Sequence, residues 1–160
     1  MDIATEISGD KKFKKFMNED EHYSLEIPID WRVISITDDY GYSFSNENRK
    51  EGMLSIKPVI APGSSLQEYY EALLESVKEE LKYKFLASTD TYLAKHTAKE
   101  IVFIAPALVN GKKNNAIMTV LIIDDIENYR FVVMTFTALE REYEKNIPIY
   151  KHAKETLDIM

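Results

Sequence analysis

Ala116-Ile117-Met118-Thr119-Val120-Leu121-Ile122-Ile123 reads as a β-strand that is apolar on both faces. Successive side chains of a strand point to opposite sides. Ile117, Thr119, Leu121 and Ile123 therefore share one face, and Ala116, Met118, Val120 and Ile122 share the other. Tyr129 to Ala138 repeats the pattern, with Phe131 and Val133 on one side and Val132, Met134 and Phe136 on the other. A sheet with one face in water alternates apolar and polar residues, so the centre of this sheet must be covered on both sides.

Working outward, Asn110-Gly111 is a strong hairpin signal and joins the Ala116 strand to a strand over Thr97 to Leu108. Asp124 to Asn128 turns the chain into the Tyr129 strand. Connections this short force antiparallel neighbours, because a parallel pair needs a crossover of a dozen or more residues. Earlier strands are expected at Tyr23 to Ile27, Trp31 to Ile36, Tyr42 to Ser45, Met53 to Val59 and, alternating only loosely, Phe85 to Leu93. Two helices can supply the covers. Ser65 with Glu68 makes a capping box, and Leu66, Tyr69, Tyr70, Leu73, Leu74, Val77 and Leu81 form one apolar stripe running to about Lys82. A C-terminal helical segment from Glu140 to about Asp158 is the second cover, with Pro148 placed in the first turn of its second part. The expected fold class is α+β, a three-layer α/β/α sandwich with a central antiparallel sheet. Residues 1–21 are polar, charged and without periodicity and read as a flexible tail, with residues 22–160 forming one domain.

The chain has 160 residues, no cysteine and a formal net charge of −7. Missing cysteines exclude disulfides and thiolate chemistry. The acidic balance argues against nucleic acid, whose phosphates it would repel. Lys11-Lys12-Phe13-Lys14-Lys15-Phe16 is a local exception. It has the make-up of an arm for an anionic membrane or a partner, but a solvated lead-in to the first strand accounts for it more simply. No apolar run approaches the roughly 20 residues of a membrane span, so no transmembrane segment is expected. Met1 to Asp10 lacks the apolar core of a signal peptide, although a removed leader leaves no trace.

The opening Tyr23-Ser24-Leu25-Glu26-Ile27-Pro28-Ile29-Asp30-Trp31 is similar to the aromatic-x-apolar-x-apolar-Pro-x-x-Trp start of the PsbP-like family, which includes proteins of the DcrB type. The Ser65 helix, the Asn110-Gly111 hairpin and the stretch from Tyr129 to Tyr143 follow in the family's order. The resemblance spans about Tyr23 to Met160. The family's common Ser-Phe ending is replaced here by Thr156-Leu157-Asp158-Ile159-Met160. The resemblance implies an α/β/α sandwich and a non-enzymatic accessory role with another protein as partner. Its members include an accessory subunit of the water-oxidising complex, bacterial lipoproteins and a nuclear protein that binds the Ran GTPase. It leans towards a home outside the cytoplasm, with any leader removed, and leaves a cytoplasmic one open.

A search for chemistry returns little. His22, His96 and His152 show no i,i+4 pairing of a zinc site, and Glu19-Asp20-Glu21 before His22 is explained by a solvated acidic segment. Asp124-Asp125-Ile126-Glu127 and Asp38-Asp39 read as turn residues, not as a calcium loop. The five glycines are isolated, so no phosphate-cradling loop is present. Ser8 with Lys11 matches Ser-x-x-Lys inside the tail and carries no weight. No catalytic residue, metal ligand or cofactor is therefore assigned, and the chain is not expected to be an enzyme. A hydrolase reading would require two of Asp38, Asp39, Asp90, Asp124 and Asp125 to meet in one cleft. The remaining candidates are aromatic. Tyr40, Tyr42, Tyr69, Tyr70, Tyr83 and Tyr92 could line a groove for a small molecule, a lipid or a peptide. Trp31, Tyr42 and Tyr92 are the candidate binding residues, set against the simpler reading of Trp31 as a core anchor.

Overall fold

The computed structural model describes residues 11–160. The leader reading of Met1 to Asp10 and the Ser8 match fall outside these residues. Among the described residues the chain order is β1 (Phe13–Asn18), β2 (Tyr23–Pro28), β3 (Arg32–Ile36), β4 (Tyr42–Ser45), β5 (Met53–Val59), α1 (Leu66–Glu75), β6 (Lys84–Leu93), β7 (His96–Val109), β8 (Lys112–Asp125), β9 (Arg130–Leu139), α2 (Glu140–Thr156) and β10 (Asp158–Ile159). A π-helical turn, Ser76–Glu80, extends α1, and a 3-10 turn, Ile126–Asn128, links β8 to β9. The fold is a sheet-dominated α+β arrangement.

Seven strands form one antiparallel sheet in the order β3-β4-β5-β9-β8-β7-β6. The doubly apolar strands β8 and β9 lie near its middle, where their composition requires them. Leu121, Ile123, Val132, Met134 and Phe136 belong to one buried cluster with Ile149, Tyr150 and Ala153 of α2. Val120, Ile122, Phe131 and Val133 belong to a second cluster, against which Leu66, Tyr69, Tyr70 and Leu73 of α1 pack. The register of the two faces is the one the sequence predicts. Ser65 caps α1 through the reciprocal bonds of a capping box with Glu68.

Three expectations are corrected. The tail over residues 1–21 is not structureless from Phe13 onward: β1 pairs antiparallel with β2 along six residues. Phe16 packs edge-on to Phe44, Phe13 lies against His152, and Lys11 is salt-bridged to Glu51 at 2.6 Å. These contacts give the segment the apolar burial that a solvated lead-in would lack. Second, β2 does not join the large sheet. It is the middle strand of a small sheet, β1-β2-β10, whose Tyr23, Leu25 and Ile27 enter the same cluster as α2. Third, α2 is continuous through Pro148 instead of restarting there. Proline has no N–H to give the carbonyl four residues back, so the helix carries one missing bond. The buried Asn146 side chain adds a local bond by donating to the Glu142 carbonyl at 3.0 Å.

Candidate functional site

The three aromatic candidates do not converge. Trp31 is fully buried, and its indole N–H donates to Glu51 Oε1 at 2.9 Å, beside the Lys11 ammonium that grips the same carboxylate. Tyr42 is half-buried against Phe16, with ring centroids 5.1 Å apart. Tyr92 is exposed on β6, the edge strand. Four strands separate β4 from β6, which is roughly 24 Å at the usual strand spacing. These residues share no groove.

Two other tyrosines of the aromatic set, Tyr40 and Tyr69, do share one. They line a cleft of about 610 Å³ together with Glu21, Asp39, Lys57 and Ile60. A second cleft of about 520 Å³ lies on the other side of Ile60, bounded by Pro62, Asp124, Ile126, Tyr129 and Arg130. Ile60 is common to both, so the two form one open depression across an end of the large sheet. That end collects the β3–β4 turn, the segment from β5 to α1 and the β8–β9 turn. Turns ordinarily present polar side chains. Here Tyr40 is 65% exposed, Ile60 66%, Ile126 66% and Tyr129 88%. Burying these rings and branched chains would be favourable, and nothing within the described chain does it.

The floor of the depression is held by a polar knot. Arg130, itself buried, donates from Nε to Asp125 Oδ2 at 2.8 Å, from Nη1 to Glu21 Oε2 at 2.8 Å and from Nη2 to the Glu21 carbonyl at 2.6 Å. Asn128 Nδ2 donates to both oxygens of Asp125 at 2.9 and 3.1 Å. The knot ties the β8–β9 turn to the β1–β2 turn, and it sets the buried guanidinium against two carboxylates, Asp125 and Glu21. Across the depression, Asp39 accepts from the Thr37 hydroxyl and from Lys57 Nζ at 3.3 Å. The Thr37 bond first, and then Lys57, hold its carboxyl below the ordinary carboxylate range. Asp124 differs. Burial pushes its carboxyl upward, with neighbouring Asp125 adding to the shift and His96 opposing it. Among the described residues Asp124 has no salt-bridge partner.

The other candidates disperse. Of the five aspartates, Asp39 lines one cleft and Asp124 the other, while Asp125 is bound within the knot. Asp38 lies exposed in the β3–β4 turn, and Asp90 pairs with Lys99 on β6–β7. His152 Nε2 lies 2.8 Å from Glu26 Oε1, and His96 Nδ1 lies 3.1 Å from the Asp124 carbonyl. Among the described residues no three histidine or carboxylate side chains gather as metal ligands. The sequence reading missed Ile60, Ile126 and Tyr129. The available signal was the placement of large apolar side chains at turn positions.

Comparison with solved structures gives matches over nearly the whole chain. A solution structure of cyanobacterial PsbP from Synechocystis sp. PCC 6803 superposes with a TM-score of 0.65 at 8% identity, covering 92% of each chain. The chain has the PsbP-like fold. The Saccharomyces cerevisiae Ran-binding protein Mog1p shares it with a TM-score of 0.64 at 10% identity, covering 93% of this chain and 96% of its own. A Pseudomonas aeruginosa protein of unknown function, PA94, a putative regulator, matches at 0.62 and 17% identity, over 90% and 94% of the two chains. No family model and no curated protein matches the sequence. The PsbP-like fold is thus carried by a sequence far from these three, as expected where a shape is kept by patterning and not by identity.

Proposed function

We propose that this chain is a non-catalytic accessory domain that binds another protein through the depression around Ile60. The observation that carries the reading is the set of four exposed apolar side chains, Tyr40, Ile60, Ile126 and Tyr129, around two adjoining clefts. Tyrosines and branched apolar side chains that surround a pocket are what protein interfaces bury at their centres. The layered helix–sheet–helix reading belongs to the same proposal. With α1 on one face and α2 with the small sheet on the other, the sheet ends are left as the open surfaces. A fold neighbour that binds Ran, a protein, is consistent with such a role. A home outside the cytoplasm suits the family resemblance, and no described helix is long and apolar enough to cross a membrane.

A second reading, a small-molecule or lipid site, has one observation in its favour. Each cleft falls within the roughly 300–1,000 Å³ of ordinary ligand pockets. Both are open to solvent, so a small ligand would keep much of its surface in water, which favours the protein-binding reading.

The test is affinity capture from a lysate of the source organism, using the wild-type chain and an Ile60→Ser/Tyr129→Ser variant. A protein retained by the wild type and lost by the variant supports the reading. Equal retention by both overturns the choice of face. A small molecule co-purifying with the wild type, with no retained protein, transfers the site to the second reading.

A further inference from the structure

We infer that the occupant of the Ile60 depression is an extended, basic segment of a partner protein, with lysines or arginines interleaved with apolar anchors. The inference rests on the protein-binding reading of this face and adds the chemistry of what binds there. Three observations carry it.

The first is charge. Glu21, Asp39 and Asp124 line the two clefts, with Asp125 buried behind them, against two lining cations, Lys57 and Arg130. Both cations are already engaged, Lys57 with Asp39 and Arg130 with Asp125 and Glu21. Asp38 and Glu127, exposed in the same two turns, have no salt bridge among the described residues. The depression therefore presents a surplus of carboxylate around an apolar centre. Anionic lipid and nucleic acid are repelled by such a rim, and a basic chain is attracted.

The second is the aromatic rim. Tyr40 and Tyr129 expose their rings at the two ends of the depression, where an ammonium or guanidinium can lie over a face. The third is shape. Two open clefts separated by one isoleucine suit successive side chains of an extended segment, with apolar anchors against Ile60 and Ile126 and cations towards Asp124 and Asp39.

The experiment is an NMR titration of the isotopically labelled chain with a synthetic peptide alternating arginine and leucine. A matched peptide alternating glutamate and leucine is the control. The basic peptide should bind saturably and shift the amides of residues 37–41, 60, 61, 63, 64 and 124–130. Its affinity should fall about tenfold in the Asp124→Asn/Glu127→Gln variant, and it should weaken with added salt. Ile60→Ser should weaken binding without changing the salt dependence. Equal binding of the acidic peptide, shifts located elsewhere, or no saturable binding of the basic peptide up to about millimolar concentration would each overturn the inference. A partner captured through Ile60 and Tyr129 whose docking segment is acidic would leave the face standing and remove only its basic chemistry.

Discussion

Tyr129 sits in left-handed backbone, with φ of 55°, while its ring is almost wholly in water. Tyr40 is also left-handed, at φ of 63°, with its ring about two-thirds exposed. Left-handed backbone costs a residue with a Cβ about 1–2 kcal/mol, and asparagine or glycine relieves much of it. An exposed ring contributes no packing to set against that cost. Tyr129→Asn should therefore raise stability by about 0.5 kcal/mol, seen as a higher urea midpoint at unchanged slope, while weakening binding at the depression. A lower midpoint would mean that the ring packs in solution. Asp124 makes a related case through pH. Folding raises its pKa by burial, so the native state holds that proton more tightly than the unfolded chain. The resulting stabilisation is present below the ordinary aspartate range and is lost as the pH rises through the native value. Asp124→Asn should then be more stable than the wild type near neutral pH, and the difference should close as the solution is acidified. Denaturation midpoints across that range measure it, and a gap that widens in acid would show the opposite coupling.

Elements were legible in the sequence to the degree that a local pattern specified them. β4 and β5 have the bounds read from their alternation, and the box at Ser65 marks the start of α1. β1 was missed for a physical reason. Lys11-Lys12-Phe13-Lys14-Lys15-Phe16 repeats every three residues, not every two, so it does not look like a strand. Lysines on an edge strand also deter further pairing, and β1 is an edge of its small sheet. β10 is two residues long, too short for any periodicity to show. Pro148 suits the first turn of a helix by its missing N–H, yet α2 carries it internally while its flank is fixed by Ile149, Tyr150 and Ala153 in the core. The Arg130 knot was equally hidden, since it joins residues 109 apart in sequence. It lends itself to direct measurement. Arg130→Ala would leave Asp125, which is 1% exposed, as a buried carboxylate without its cation. Breaking one side of such a pair costs about 3–5 kcal/mol. The urea midpoint should drop accordingly, and Arg130→Ala/Asp125→Ala should recover part of the loss because the stranded charge is gone. No recovery in the double variant would assign the cost to lost packing of the arginine stem.

At the scale of the whole molecule, the site was illegible because no single stretch contains it. Ile60, Tyr40 and Tyr129 come from three separate turns, and only the order of strands in the large sheet sets them side by side. The same order makes the N-terminal segment part of the fold. β1 covers the outer edge of β2, β2 brings Tyr23, Leu25 and Ile27 to the cluster under α2, and Glu21 between the two strands braces Arg130. Burial carries the Tyr23 hydroxyl up to about 12, in keeping with a side chain fully enclosed by this assembly. Removing residues 1–18 would delete the β1 ladder, the half-buried Phe13 and Phe16 and the Lys11 contact to Glu51. Two partly buried phenylalanines at about 1–2 kcal/mol each, with the lost ladder and ion pair, amount to roughly 3–6 kcal/mol. Domains of this size are stable by only about 5–15 kcal/mol in total. β2 keeps its bonds to β10 and its place under α2, so a domain of about 10 kcal/mol should still fold after truncation, with its denaturation midpoint lowered by roughly a third to three-fifths. Circular dichroism of the truncated chain in urea reads both quantities together. An unchanged midpoint would make β1 an ornament on an independent core, whereas loss of all cooperative unfolding would make the small sheet a condition for the large one.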